Sequence, residues 1–518
     1  MREHRSVRSS AGRLPHALAG VVAGVAGIAV SHALTMLLNV RATPLVAVAE
    51  AIIEVTPGAL AEGLIQLVGQ YDKPLLIAGV TLGLLGLSAL AGVLGSRSLA
   101  PANLVFLAMG AVAAVAVATR PGFLTYDLLP VVAGTATWFV VLGYLVSSSA
   151  RRQPDRAAAG SSAPADSGRR GFLIQVGVVA ATAAVIGVGG HLLGRTRRGV
   201  EASRRLLRLP VSRGSVPPGA ELEVSGIKPW RSPNQEFYRI DTALVVPAIE
   251  LDDWRLRIHG MVENEMELTY RDLLDRQMTE AWITLCCVSN EVGGDLIGNA
   301  YWSGVRIADI LAEAGVSPDA DAVLQTSDDG WNCGTPLAAL TDDRNSLLAI
   351  AMNGEALPVE HGFPVRMVVP GLYGYVSATK WLVDIEVTRF DRFTAYWTSR
   401  GWAAMGPIKT QSRIDVPRSG ADVSAGTRRV GGSAWAQHTG IDKVEYRLDG
   451  NDWQPATLGR VPGADTWVQW SGSVEVPPGS HTLAVRATDR TGYTQTPVQT
   501  EVVPDGATGW HTVEFNAG

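Results

Sequence analysis

Five apolar runs, each about the 20 residues a helix needs to cross a bilayer, occupy positions 17–38, 74–96, 103–120, 128–147 and 171–193 of the 518-residue chain. Each is read as a transmembrane helix. The stretch 45–69 is apolar too, but Glu50, Glu54 and Glu62 recur along it and Pro57-Gly58 interrupts it. That pattern predicts an amphipathic helix pair on the membrane surface rather than a sixth span. From about 200 the chain turns polar. Over 236–400 short β-rich runs ("WRLRIHG", "FPVRMVVPG", "WLVDIEVTRF") mix with short helical ones ("YRDLLDRQ", "RIADILAEAGV", "PLAALTDD"), which predicts an α+β domain. After about 410 the period is two. In "KVEYRLDG" Val444, Tyr446 and Leu448 alternate with Lys443, Glu445 and Arg447 before an Asp449-Gly450 turn, and Leu483, Val485 and Ala487 repeat the design. About 100 residues of this kind predict an immunoglobulin-like β-sandwich. No internal repeat is visible.

The predicted organisation is multi-domain: 1–148 a four-span region, 149–170 a flexible linker, 171–194 a fifth transmembrane helix, 195–410 the α+β domain and 411–518 the β-sandwich. Arg2, Arg5, Arg8 and Arg13 precede the first span, and the following loop carries more acid than base, so the N-terminus is expected in the cytoplasm. Five spans then put everything after 194 outside. The basic run "GRTRRGVEASRRLLRLP" opposes this, but the Ala/Ser/Gly/Pro-rich linker ends in Arg169-Arg170 just before an apolar segment. The pair resembles an internal twin-arginine export signal, a route that carries folded, cofactor-loaded domains; ordinary cytoplasmic anchoring arginines are the alternative.

Composition sharpens this picture. An apolar fraction of 47% and a mean hydropathy of +0.15 are high for a wholly soluble protein. A net charge of -5 argues against nucleic acid as a partner. Cys286, Cys287 and Cys333 are the only thiols, too few for a disulfide framework or an iron–sulfur cluster, and no CxxCH motif for covalent haem is present. Two histidines, His32 and His191, fall within spans. They either pack against polar groups and mark the interface, or together hold a b-type haem.

Candidate chemistry gathers in three segments. In "TLCCVSNEVGG" Cys287 is either a buried small apolar residue or a thiolate that ligates a metal or attacks an electrophile, with backbone amides of the Gly293-Gly294 turn close by. "LPVEHGFPVRMVVPGLYGYVSATKWL" brings His361, Arg366, Ser377 and Lys380 beside glycines, donors that suit an anionic, heteroatom-rich ligand. "EFYRIDTALVVP" adds Arg239 among aromatics.

Together these segments resemble the sulfite oxidase family of molybdopterin enzymes over roughly 230–515. The family pattern T-L-x-C-x-x-N is met by Thr284-Leu285-Cys286-Cys287-Val288-Ser289-Asn290, so Cys287 matches the molybdenum ligand and Cys286 the variable position before it. "WSGV" at 302–305, "MNGEALP" at 352–358, "HGFPVR" at 361–366 and Lys380-Trp381 follow in order. The resemblance implies that Phe237, Tyr238, Arg239, Ile240, Asp241, His361, Arg366, Ser377, Thr379 and Lys380, with Asp328 or Asp329, line the pterin and its phosphate, and that Arg239 joins Cys287 in catalysis. It also implies oxygen-atom transfer at molybdenum on a small oxyanion or oxide, a quinone or cytochrome as electron partner, and a homodimer made through the β-sandwich.

The departures matter as well. Where the family places arginines around the oxyanion, this chain has Glu291-Val292 and, in "AWAQHTGI", no arginine. Ser399 stands at the family's tyrosine position, with Tyr396 and Trp397 nearby. A pocket that loses cations and gains a carboxylate binds a dianion less well. A sulfoxide or N-oxide reductase, or an inactive membrane-tethered scaffold, are the competing readings.

Overall fold

The computed structural model describes residues 14–38, 40, 42–56, 72–120, 123–151, 177 and 196–518. The chain divides into two compact units, Met1–Gly199 and Val200–Gly518.

The first unit holds helices α1 (Leu14–Leu37), α2 (Pro44–Val55), α3 (Asp72–Gly95), α4 (Leu99–Ala118) and α5 (Leu129–Arg151). Four of these, all but α2, are long and apolar enough to cross a membrane. They coincide with the first four runs expected from sequence. The fifth run lies outside the described residues apart from Gly177, as do Arg169-Arg170 and His191. Close approach depends on small residues: a Cβ on Gly20 would meet the Ser88 carbonyl oxygen, and one on Gly92 the carbonyl of His16. Of the 45–69 segment only the α2 part is described. Its Glu50 pairs with Arg120 at 2.9 Å.

The second unit begins with α6 (Thr196–Leu206), whose Val200 is fully buried with Phe237, Trp302 and Leu357. Its α+β part holds two sheets. One has the order β2 (Met266–Thr269), β1 (Arg255–Gly260), β10 (Leu382–Thr388), β5 (Ala322–Ser327), β6 (Asn332–Pro336), with β1 and β10 parallel. The other runs β3 (Thr279–Cys286), β4 (Ile297–Arg306), β7 (Leu347–Met352), β8 (Glu355–Ala356), and β9 (Arg366–Val368) also pairs with β7. The three short helical patterns become α7 (Tyr270–Leu274), α8 (Ile307–Ala314) and α9 (Leu337–Thr341). In α8, Ile307, Ile310, Leu311 and Ala314 are buried, the i, i+3, i+4, i+7 stripe of an amphipathic helix, and Gly315 ends it at φ 69°.

The remainder is β-rich. One sheet has the order β11 (Gln411–Val416), β13 (Gly426–Trp435), β17 (Val468–Val476), β16 (Thr457–Leu458); the other runs β12 (Asp422–Val423), β19 (His511–Ala517), β18 (Gly479–Asp489), β14 (Ile441–Leu448), β15 (Gln454–Pro455). A single apolar core lies between them. Val430 and Trp470 of the first sheet share it with Val444, Tyr446, Leu483, Val485 and Ala487 of the second, the positions the alternation marks as inward. Loops of this region clamp β3. Thr284 N donates to Asp465 O at 2.9 Å, Thr284 Oγ1 accepts from Trp467 N at 2.8 Å, and Trp230 and Trp467 exchange indole N–H bonds to each other's carbonyls.

Candidate active site

Cys286 and Cys287 end up on opposite sides of the chain. Successive side chains of an extended strand point to opposite faces, and Cys286, the last residue of β3, enters the hydrophobic core at 1% exposure, while Cys287 lines a cleft that is partly open to solvent. The turn after it is held by its own backbone and by Asn290: Cys287 N donates to Leu296 O at 2.9 Å, Asn290 N to Cys287 O at 3.1 Å, and Leu296 N to Asn290 Oδ1 at 2.9 Å. Gly293 and Gly294 are not on the cleft. A Cβ at Gly293 (φ 80°) would strike the His511 ring, and one at Gly294 would strike Asn290 Oδ1, so these glycines let the turn pack rather than offering amides to a ligand. Burial pushes the Cys287 thiol up, and the backbone and hydroxyl of Ser289 draw it partly back.

Phe237, Tyr238, Ile240, Asp241, His361, Arg366 and Lys380 line the same cleft. Lys380 Nζ pairs with Asp241 Oδ2 at 2.9 Å and donates to Glu360 O at 3.2 Å. Burial brings Lys380 down to about 8 even though Asp241 opposes the fall. His361 Nε2 donates to Asn234 O at 3.0 Å, which leaves Nδ1 as the acceptor of a neutral ring; burial, then the charges of Arg366 and Lys380, depress it to about 4. Arg366 is 5% exposed and stacks its guanidinium 5.1 Å from the Trp302 ring centre. Among the described residues its hydrogen bonds go to the carbonyls of His361, Met367 and Ala378, at 3.2–3.4 Å. Among the described residues no carboxylate pairs with it, and burial lowers it to about 10. An enclosed cation without a counter-charge is costly unless a ligand supplies one.

Other expected residues fall elsewhere. Arg239 is off the cleft, its side chain 43% exposed and bonded to Asp241 Oδ2 at 2.9 Å. Ser377 is fully buried and donates to Tyr373 O at 2.9 Å, bracing the turn rather than facing the cleft. Thr379 is also fully buried, 3.3 Å from Cys333 Sγ. Asp329 lines the cleft and Asp328 does not. Neither Ser399 nor Tyr396 is on its wall, but Trp397 is. Sequence reasoning passed over Ser327, Trp331, Tyr375 and Trp402, which also line it. Trp381 takes φ 49°, rare for a bulky residue, and is held there by Nε1 donating to Val359 O at 2.8 Å.

Two further observations bear on what the cleft receives. Ser327 Oγ and Trp331 Nε1 are buried without a hydrogen-bond partner among the described residues, a cost that a heteroatom-rich ligand would remove. No group of three or more His, Cys, Asp or Glu among the described residues is placed to hold a metal ion. A metal at Cys287 would therefore arrive with ligands of its own, as one carried by an organic cofactor does.

Residues 243–397 match the family described as the oxidoreductase molybdopterin binding domain. The chain is 36% identical over 157 residues to the uncharacterized oxidoreductase YuiH of Bacillus subtilis, covering 30% of this chain and 76% of that protein. It is 30% identical over 301 residues to human mitochondrial sulfite oxidase, covering 49% of this chain and 55% of the relative. The chain belongs to the sulfite oxidase family of molybdopterin oxidoreductases. It is thus an oxidoreductase whose family binds molybdopterin. The sulfane dehydrogenase SoxCD of Paracoccus pantotrophus is similar at 23% identity with a TM-score of 0.49, covering 61% of this chain and 92% of that one. This member of the sulfite oxidase family spans about half the length of the human sulfite oxidase it matches. The cleft's unpaired Arg366, its unpartnered Ser327 and Trp331 donors and its single thiol fit a molybdopterin.

Proposed function

We propose that this protein is a membrane-anchored, extracytoplasmic oxidoreductase that transfers an oxygen atom between water and a small substrate at a molybdenum ion held by Cys287. The observation that carries the reading is the meeting, in one cleft, of the Cys287 thiol and the buried, unpaired Arg366. Molybdopterin, when bound, supplies two-electron oxygen-atom chemistry; the protein supplies everything that fixes it in place. Arg366 offers charge to the cofactor's anionic group, and Lys380, steadied by Asp241, adds a second cation. His361 stays neutral and accepts through Nδ1. Trp331 Nε1 and Ser327 Oγ give directional hydrogen bonds to pterin heteroatoms. Arg239 acts through Asp241, positioning Lys380.

The β-rich region is read as an immunoglobulin-like sandwich that makes a homodimer and buttresses the strand leading into Cys287. Export of 200–518 through Arg169-Arg170 would deliver the folded domain outside, where a quinone or cytochrome exchanges electrons with it. The His32 and His191 haem is a lesser part of this reading. Metal and pterin analysis of full-length protein purified from a molybdenum-competent host tests the proposal: about one molybdenum per chain supports it, and none makes the chain a scaffold.

A further inference from the structure

One wall of the cleft is aromatic. Tyr375, Trp397 and Trp402 all line it, with ring centroids 5.8 Å apart for Tyr375–Trp402 and 6.3 Å for Trp397–Trp402. The wall is fixed by its own bonds. Tyr375 OH donates to Ala403 O at 2.7 Å, Trp402 N to Trp397 O at 3.2 Å, and Tyr373 N to Gly406 O at 2.7 Å, so the 397–406 loop is stapled to the turn at 373–375. Trp402 is 9% exposed and part of the main core.

The cleft's cations belong to a different group of contacts. Arg366 touches His361 and Trp302, and His361 meets Phe237, which stacks on Tyr238. Lys380 is paired with Asp241, a carboxylate that also holds Arg239, and it serves the cofactor alongside Arg366. The nearest cation in the aromatic loop, Arg400, lies 3.7 Å over the Tyr396 ring, bonds to that residue's carbonyl, and is absent from the cleft lining. Beyond Asn290 the sequence offers Glu291 and Val292. Once the anionic cofactor takes Arg366, no unpaired cation on the described lining remains for a doubly charged substrate, whereas three fixed rings remain for an apolar group.

We propose that the cleft selects an uncharged organic substrate whose reacting heteroatom carries an apolar group, the class of thioethers, sulfoxides and neutral amine oxides, and disfavours inorganic dianions. This rests on the oxygen-atom-transfer reading and names its substrate class.

Two unreactive tetrahedral probes separate charge from shape: methyl phenyl sulfone and sulfate, titrated calorimetrically into detergent-solubilised, full-length, molybdenum-loaded protein. The sulfone is expected to bind more tightly. Trp402→Ala should weaken it by about tenfold, the scale of losing one large apolar contact, and leave sulfate within about twofold, with Trp402→Phe recovering most of the loss. Trp397→Ala, at a ring only partly buried against the core, should weaken the sulfone in the same direction. Tighter sulfate binding, or equal weakening of both probes in both alanine variants, overturns the proposal. If molybdenum is present and sulfate wins, only the substrate class fails. If molybdenum is absent and the sulfone still binds in a Trp402-dependent way, the oxidoreductase reading fails and aromatic selection stands.

Discussion

Lys380 Nζ lies 2.9 Å from Asp241 Oδ2, and Asp241 accepts a second 2.9 Å bond from Arg239 Nε. The three form a line from the exposed surface into the cleft, and they divide the labour of its two buried cations. Lys380 carries a counter-charge; Arg366 carries none among the described residues and is left for a ligand.

Arg366 thus costs the empty protein energy that an anionic cofactor returns. Arg366→Met should change the stability of cofactor-free protein by no more than about 1 kcal/mol, since the loss of three long bonds to carbonyls and of the stacking on Trp302 is offset by removal of an unpaired buried charge. The same variant should lose nearly all bound molybdenum. Chemical denaturation and elemental analysis on one preparation check both. A large destabilisation with full metal content would make Arg366 a structural residue.

Burial brings the Lys380 ammonium down to about 8, because it disfavours the charge more than Asp241 favours it. Anion affinity should then fall as pH rises through about 8 in cofactor-free protein. Asp241→Asn removes the supporting charge and should move the fall to lower pH. Calorimetric titration with inorganic pyrophosphate between about pH 6.5 and 9.5 reads this directly. An affinity flat across that range contradicts it.

His361 titrates at about 4 when folded against 6.5 for the free side chain, chiefly through burial. The unfolded chain therefore binds more protons between these values. The stabilising contribution is full above pH 6.5 and lost as pH falls toward 4. His511, buried beside Arg413, is also depressed to about 4 and adds to the same slope. Denaturation of cofactor-free protein should show stability falling by a few kcal/mol over this window. His361→Gln should remove part of the slope, and an unchanged slope would show that His361 is not held neutral.

Legibility in the sequence followed the physics of each part. The four described apolar helices, the short helices at 270, 307 and 337, and the inward positions of β14 and β18 depend on local periodicity, and local periodicity is what a chain displays. Cys287 was told from Cys286 only by the register of the family motif; the segment by itself left its side open. Ser377 and Thr379 were expected on the cleft because the motif names positions, yet motif position does not say which way a hydroxyl turns, and both turn inward. The aromatic wall was largely hidden. Trp402 is held at the cleft by tertiary contacts with no sequence period, among them the bond from Tyr375, 27 residues earlier, to the carbonyl of Ala403. The clustering of Trp397 and Trp402 around Gly401 was the one available signal. Gly293 misled for the same reason: its demand for space comes from His511, more than 200 residues away.

The central claim is that Cys287 holds molybdenum and its neighbour does not, and molybdenum content of the two serine variants tests it most directly. Cys286→Ser buries a hydroxyl in the core and should lower stability by about 1–3 kcal/mol while keeping the metal near one per chain. Cys287→Ser should fold with nearly unchanged stability and lose the metal and the activity together. Metal retained in Cys287→Ser and lost in Cys286→Ser would contradict the account.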